Sequence, residues 1–291
     1  MKTSLSIVVP HKDSLDTLQR LLGSIPAEDG LEVVVVDDNS TASQKAERLV
    51  ENFPGVVFVE NQSGEHNAGE ARNVGLSRAT GEWVLFADAD DYFVTDAFPI
   101  IEERLAAAGE DTDMVFFNVT SINEESGRQT WRHRFMAGLF SMENEVIRKN
   151  TARYDWTQPW GKAIRARMIR EKGIAFDSVA VSNDVIFSQQ CGHQARAVEL
   201  DSRVVYCVTE SSGTLSATTT EDQALTRLEV RIRSGENMMQ WGVDWPFSWG
   251  AKWFFGSRPW KLTPRKILLY GRYVGFLVRK VLYEVKRNKH L

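Results

Sequence analysis

Apolar runs alternate with amphipathic segments through the first 120 residues, and this alternation constrains the fold more than any other feature. The runs are typical of buried strands, and the segments between them carry apolar residues at helical spacing. The predicted strands cover residues 5–10, 31–36, 56–59, 83–87 and 114–119. Beyond residue 120, further short strands are predicted at 130–135, 161–164, 197–200 and 204–208. Strands that alternate with helices in this way predict a doubly wound, mostly parallel α/β sheet.

Three carboxylates, Asp88, Asp90 and Asp91, directly follow the strand predicted at 83–87. Burying such like charges without a partner is costly, so a cation is expected among them. Ligands that are all oxygen favour a hard divalent ion such as Mg or Mn. The pattern alone fits a solvated acidic turn that caps the next helix equally well.

A second acidic pair, Asp37 and Asp38, ends the second predicted strand. The carboxyl ends of parallel strands share one edge of the sheet, so both acidic groups can face a single crevice. One group could hold a nucleoside while the other holds a metal ion on its diphosphate. Arg72, on the helix before the acidic cluster, is interpreted either as a cation of that crevice or as a solvated helix residue.

The glycine motifs of common nucleotide-binding folds are missing. A dinucleotide-binding fold needs G-x-G-x-x-G after the first strand, whereas the first turn here is Pro10-His-Lys-Asp13. The chain also has no G-x-x-x-x-G-K-[ST] phosphate loop. An NAD, FAD or ATP-loop site is therefore not expected. No histidine or cysteine spacing predicts a zinc site either.

A set of motifs in fixed order resembles the family 2 glycosyltransferases, which are inverting enzymes of GT-A fold. The donor-side motifs are Val9-Pro10, Asp37-Asp-Asn-Ser40, Asn67-Ala-Gly-Glu-Ala-Arg-Asn-Val-Gly-Leu76 and Gly81-Glu-Trp-Val-Leu-Phe-Ala-Asp-Ala-Asp-Asp91. Pro159-Trp-Gly-Lys162, Gly173-Ile-Ala-Phe176 and Asn183-Asp184 resemble the acceptor half of bacterial polysaccharide enzymes. The resemblance spans roughly residues 4 to 217.

The resemblance implies a role for individual residues. The implied donor-binding residues are Pro10, Asp37, Asp38, Arg72 and Asp88, with Asp38 on the uracil or ribose of a UDP-type donor. Asp90 and Asp88 match the motif for a Mg or Mn ion, and Asp184 matches the catalytic base. Trp160 is the implied acceptor contact. At Asn183 this chain departs from the family's pattern, because many relatives carry Glu before the aspartate.

The resemblance also divides the chain. It implies a nucleotide-sugar half at 1–120 and an acceptor-binding half of the same GT-A domain at 121–220. The composition and helical spacing of the remaining residues predict a helical, aromatic and basic C-terminal extension at 221–291. Five of the nine tryptophans fall between residues 241 and 260. A loop of small residues is predicted at 211–217.

The sequence of the C-terminal tail predicts a surface that binds an anionic membrane. Residues 252–291 contain eleven Lys or Arg residues against one acid, and a helix is predicted from Pro264. Arg265, Arg272, Arg279 and Lys286 recur every seven residues and form a basic stripe beside a broad apolar face. The alternative is a helix docked on the protein's own core. Nucleic acid is not an expected partner, because the apolar face would go unused.

The expected location is the cytoplasm, peripheral on the inner face of the cell membrane. The apolar run at residues 5–9 is too short for a signal peptide. No apolar run reaches the length of a membrane span.

The sequence favours one function and leaves two alternatives open. The favoured function is metal-assisted sugar transfer from a nucleotide-sugar to a glycan or lipid-linked polysaccharide. A sugar-nucleotidyltransferase would share the sheet and the use of a metal ion at the acidic cluster. It would also need a glycine-rich, basic loop after the first strand, and His11-Lys-Asp13 does not provide one. A non-catalytic peripheral membrane-binding module is the second alternative, and the intact Asp88, Asp90, Asp91 and Asp184 argue against it.

Overall fold

The computed structural model describes residues 4–210, 220–243 and 263–288. The strands are β1 (Leu5–His11), β2 (Leu31–Asp37), β3 (Val56–Glu60), β4 (Trp83–Phe86), β5 (Tyr92–Phe93), β6 (Thr112–Asn123), β7 (Lys162–Arg165) and β8 (Ala197–Glu210). The helices are α1 (Leu15–Gly23), α2 (Glu47–Val50), α3 (Ala68–Arg78), α4 (Ala97–Ala106), α5 (Arg134–Phe140), α6 (Glu145–Asp155), α7 (Ala166–Lys172), α8 (Asn183–Gln194), α9 (Glu221–Gln240) and α10 (Pro264–Asn288). The predicted loop at 211–217 and most of the tryptophan-rich segment lie outside the described residues.

One sheet runs through the molecule in the strand order β3-β2-β1-β4-β7-β6-β8-β5. β7 and β5 are antiparallel to their neighbours, and the remaining pairs are parallel. The chain runs outward from β1 to β3 and then returns to the other side of β1 with β4. This reversal opens a crevice at the carboxyl ends of β1 and β4, where ligands bind in α/β sheets. The predicted mixed α/β class with a mostly parallel sheet is confirmed.

Two predicted details of the second half are wrong. Residues 130–135, predicted as a strand, form a turn that leads into α5. There the backbone N–H of Thr130 donates to the Ser121 carbonyl at 2.9 Å, and the Thr130 hydroxyl and the His133 N–H both donate to Ser121 Oγ, so backbone pairing with β6 ends at Thr130. The separate strands predicted at 197–200 and 204–208 are one strand, β8, whose pairing with β6 is shifted near Asn118.

Helix α6 is a further difference, because no helix was predicted at residues 145–155. It begins at the cap residue Asn144, whose side chain accepts a hydrogen bond from Ile147 N at 3.1 Å. Glu145 and Lys149 pair one turn apart on its surface. These are ordinary helix signals, and they lie in a stretch with few apolar residues to show a helical period.

The C-terminal helix α10 docks on α9. Leu269, Tyr273 and Phe276 are buried against Leu228 and Ile232 of α9. The Phe276 ring covers Gly235, where a Cβ atom would collide with it, so the two helices cross closely. None of the helices within the described residues has the length and low charge that a membrane span requires.

The predicted orientation of the basic stripe is corrected by its contacts. Arg265, Arg272 and Arg279 form ion pairs with acids of α9, and Lys266 and Lys280 are buried. The opposite side of α10, its outer face, is apolar, and its large side chains are between 47% and 67% exposed. That outer face consists of Ile267, Leu268, Val274, Val278, Val281, Leu282 and Val285.

Because α10 docks through one side, shortening a side chain on that side should lower the stability of the protein more than shortening one on the outer face. Phe276→Ala should lower the free energy of unfolding by about 3–5 kcal/mol, because a buried aromatic ring leaves a cavity. Val278→Ala, whose side chain is 54% exposed, should change it by no more than about 0.5 kcal/mol. Urea unfolding followed by circular dichroism measures both variants. Equal effects would contradict the docked orientation.

Candidate active site

The acidic cluster at the end of β4 brings three carboxylates together. In Asp88, Asp90 and Asp91 the candidate ligand atoms all lie within 4.8 Å of one another. Asp91 is buried, and its Oδ1 accepts a hydrogen bond from Thr209 N at 2.8 Å. Asp88 and Asp90 are less buried and face the cleft. The cluster therefore has one carboxylate committed to the fold and two that can serve a ligand.

The charges of this cluster fit a divalent cation. Burial and the neighbouring Asp88 raise the pKa of Asp90 to about 6. Burial, Asp88 and Asp90 raise the pKa of Asp91 well above its usual range. The protein's own groups thus leave the negative charge here poorly compensated. An oxygen-only donor set of this kind fits Mg or Mn, with Asp90 and Asp88 as the residues able to hold it.

Arg72 connects this cluster to the second half of the chain. It is 6% exposed, so of the two interpretations left open by the sequence, the solvated helix arginine is wrong. One guanidinium nitrogen donates to Asp88 Oδ1 at 2.5 Å, and the other donates to Asn183 Oδ1 at 3.0 Å. A single planar cation therefore spans the metal motif and the start of α8.

The N-terminal part of α3 holds the segment 176–183 at several further points. Asn67 Nδ2 donates to Ser178 Oγ at 3.0 Å, and Asn73 exchanges two hydrogen bonds with the backbone of Phe176. A Cβ atom at Gly69 would collide with the carbonyl of Asp177, so only glycine permits this approach. The sequence prediction missed these roles, and the amides and glycine within the motif 67–76 were the available signal.

Asp184 lies in the first turn of α8 and lines the same cleft as Asp88. The preceding Ser182 has a φ of 59°, a left-handed conformation that is strained for a residue with a side chain. Burial raises the pKa of the Asp184 carboxyl, and Arg72 opposes that rise. Asp184 is half-buried and lines the cleft, where a carboxylate can take a proton from a bound hydroxyl.

The other end of the cleft is formed by the carboxyl ends of β1 and β2. Asp38 lines it, and its Oδ1 accepts a hydrogen bond from Asn61 Nδ2 at 2.8 Å. His66 lies at 3.3 Å from the same oxygen. Pro10 also lines the cleft.

Asp37 differs from its predicted position, because it is absent from the lining of the cleft among the described residues. Its Oδ1 accepts from the backbone N–H of Ser40 at 2.9 Å, and its Oδ2 lies 3.8 Å from His11 Nε2. Asp37 is 2% exposed. Its contacts shape the turn that carries Asp38.

Trp160 borders the cleft, but its side chain is only 1% exposed. Its ring stacks on Tyr206 at 6.1 Å, and the Tyr206 hydroxyl accepts a hydrogen bond from Asp88 N at 2.9 Å. The nearby Lys162 is also buried and donates to the Trp156 carbonyl at 2.6 Å; burial lowers its pKa to about 7. Tyr206 thus links the buried Trp160 ring to the backbone of Asp88.

The assembled cleft has a volume of about 900 Å³. Asp38, Asp88, Asp90 and Asp184 all line it. Arg227 and Arg231 of α9 line it as well. Carboxylates from both halves of the chain therefore share one cavity of a size that suits a nucleotide-sugar.

Comparison with protein families gives a match over residues 6–174 to the model described as glycosyl transferase family 2. Among curated proteins, the chain is 26% identical over 221 residues to the poly(ribitol-phosphate) beta-N-acetylglucosaminyltransferase TarS of Staphylococcus aureus. It is 27% identical over 223 residues to the succinoglycan biosynthesis protein ExoO of Rhizobium meliloti. These alignments each cover 72% of this chain, but only 36% of TarS and 62% of ExoO.

Solved structures show the same fold. A crystal structure of S. aureus TarS 1–349 in complex with UDP-GlcNAc matches with a TM-score of 0.64 at 21% identity, over 94% of this chain and 73% of that one. The mannosyltransferase PcManGT from Pyrobaculum calidifontis, in complex with GDP-Man and Mn²⁺, matches with a TM-score of 0.58 at 14% identity. That alignment covers 98% of this chain and 85% of the other.

Proposed function

Because the chain belongs to glycosyl transferase family 2, we propose that it transfers a sugar from a nucleotide-sugar, of UDP type, to a glycan or lipid-linked polysaccharide acceptor. The observation that carries the proposal is the placement of Asp184 in the same cleft as Asp88, Asp90 and Asp38. The TarS complex with UDP-GlcNAc, a structural neighbour, supports the choice of donor.

In the proposed donor complex, the nucleoside lies against Asp38 and Pro10, with Asp37 holding the turn behind them. The diphosphate lies over the acidic cluster, where Asp90 and Asp88 would hold a Mg or Mn ion. Such an ion would offset the negative charge that develops on the leaving diphosphate. Arg72 keeps Asp88 in place by its hydrogen bond of 2.5 Å.

The proposed reaction is a single displacement with inversion. The acceptor oxygen forms a bond to the anomeric carbon while the bond from that carbon to the diphosphate oxygen breaks. Asp184 takes the proton of the acceptor hydroxyl, on the face opposite the leaving group. Its carboxylate comes from the acceptor half of the chain, which is the side from which an acceptor must approach. Because its ring is nearly buried, Trp160 would pack behind the side chains that contact the acceptor.

Replacing the proposed base separates chemistry from binding. Asp184→Asn should lower the rate of transfer by about 10²–10⁴-fold, because the amide keeps the shape and cannot take a proton. Affinity for UDP in the presence of Mn²⁺ should stay near that of the wild type. Release of UDP from a panel of UDP- and GDP-sugars measures transfer, and calorimetry measures binding. A transfer rate close to wild type would assign the base to another acid, such as Asp177 or Asp155.

Replacing a proposed metal ligand should instead weaken the binding of the donor nucleotide. Asp90→Asn should abolish the Mn²⁺-dependent part of UDP binding, because one of two available carboxylates is lost. Asp111→Asn is a matched control, since that side chain is 82% exposed and pairs with Arg196 on the surface. Calorimetric titration of UDP with and without Mn²⁺ reports both variants. Unchanged Mn²⁺ dependence in Asp90→Asn would contradict the assignment.

We also propose that the outer face of α10 lies on the cytoplasmic surface of the cell membrane. Seven large apolar side chains are exposed along this helix, whereas soluble monomers rarely expose such a continuous apolar patch. An amphipathic helix of this kind binds in the plane of the headgroups. The attraction comes from the apolar face, because the arginines at 265, 272 and 279 are paired with α9. Lipid-linked acceptors would be reached at this surface.

Cosedimentation with vesicles tests this placement. The full chain should pellet with both neutral and anionic phospholipid vesicles, and Leu268→Gln/Leu282→Gln should pellet much less, because two exposed apolar side chains are lost. Arg272→Gln serves as a control that leaves the outer face unchanged. Equal pelleting of the wild type and the double variant would contradict the proposal. A wild type that stays in solution as a dimer, with the double variant monomeric, would assign the outer face to a second copy.

A further inference from the structure

The turn that carries the acidic cluster is held by hydrogen bonds to its backbone. Arg20, in the last turn of α1, donates from one guanidinium nitrogen to the Asp90 carbonyl at 2.5 Å. The hydroxyl of Thr209, on β8, donates to the same carbonyl. Thr209 N also donates to Asp91 Oδ1 at 2.8 Å. Two elements that are far apart in the sequence therefore meet at one carbonyl of the metal motif.

The remaining contacts of Arg20 leave the Asp90 carboxylate free for a ligand. The second guanidinium nitrogen of Arg20 donates to Glu124 Oε1 at 2.7 Å, and the guanidinium carbon lies 5.5 Å from the centre of the Tyr92 ring. Arg20 is not among the described residues that line the cleft. Because Glu124 offsets its charge and the bond to Asp90 goes to the backbone, Arg20 touches the metal motif without occupying its carboxylates.

We propose that Arg20 and Thr209 are positioning residues of the metal site, which hold the Asp90 carbonyl and thereby set the direction of the Asp90 carboxylate. The inference rests on the proposed function, because it takes Asp90 as a ligand of Mg or Mn. Hydrogen bonds from two sides leave this peptide group little freedom to rotate, and the side chain follows the backbone that carries it. Residues that orient a metal ligand in this way typically contribute about 10–100-fold to the affinity for the metal.

The charge of Arg20 and its hydrogen bonds predict opposite effects on the metal. A guanidinium near a cation site repels the cation, so an arginine that acted by charge alone would weaken Mn²⁺ binding, and its removal would tighten it. An arginine that acts by holding the backbone has the reverse effect, so its removal loosens the ion. Thr209 carries no charge, so the loss of its hydroxyl tests the positioning role alone.

Calorimetric titration of the full chain with UDP, at several Mn²⁺ concentrations, measures these effects. Arg20→Gln should weaken the Mn²⁺-dependent binding of UDP by about 10–100-fold. Thr209→Val keeps the shape of the side chain and should weaken it in the same direction. The affinity of both variants for UDP without Mn²⁺ should stay near that of the wild type, which a general disturbance of the cleft would not allow.

Two further variants complete the experiment. Arg104→Gln is a matched control, because it breaks an ion pair between α4 and Glu199 of β8, and the exposure of that arginine, 27%, is close to the 35% of Arg20. It should bind Mn²⁺ and UDP like the wild type. Arg20→Lys should recover part of the lost affinity, because its ammonium group keeps a donor for one of the two oxygens but not the planar fork that spans them.

Two results would overturn the inference. One is Mn²⁺-dependent binding in Arg20→Gln that equals or exceeds that of the wild type. The other is the same loss of UDP affinity with and without Mn²⁺. If Arg20→Gln does not fold, Thr209→Val decides by the same two criteria. A wild type whose UDP binding does not depend on Mn²⁺ would contradict the proposed metal site itself, and the inference would fail with it.

Discussion

The hydrogen bonds of Arg72 are the interaction on which the geometry of the cleft depends. This buried guanidinium joins Asp88, at the end of a central strand, to Asn183, at the start of the helix that carries Asp184. Arg72 thereby holds the end of β4 and the start of α8 at a fixed separation. The amide oxygen of Asn183 accepts from Arg72 without adding a further negative charge beside Asp88 and Asp184.

The C-terminal helices extend this arrangement outward. Helix α9 contributes arginines to the cleft, and its acids are occupied by the basic residues of α10. A tail that looks remote in the sequence therefore helps to hold in place a helix that lines the cleft. The same docking turns the apolar side of α10 outward, so one helix pair joins the wall of the cleft to the proposed membrane surface. The close crossing at Gly235 and Phe276 fixes the position of α10 on α9.

The sequence predicted the parts of the molecule that follow local rules. Period and chain order located β1 to β4, and the acids at their ends identified Asp38, Asp88 and Asp90 as cleft residues. It could not show that Asp37 turns away to bond Ser40, because adjacent strand residues point to opposite faces and the turn decides which one faces a ligand. Nor could it place Arg72, whose partner lies 111 residues away. The predicted orientation of the basic stripe on the tail was wrong for the same reason, since its arginines are paired with acids of another helix.

A crystal structure of the protein with UDP and Mn²⁺ tests the central claim most directly, namely that one cleft holds the donor and the base in fixed relation. The account predicts the uridine against Asp38, the ion on Asp90, and Arg72 still bonded to both Asp88 and Asn183, with Asp184 facing the open side of the diphosphate. A nucleotide bound away from these acids, or an Arg72 that leaves Asn183 while Asp184 turns out of the cleft, would contradict it.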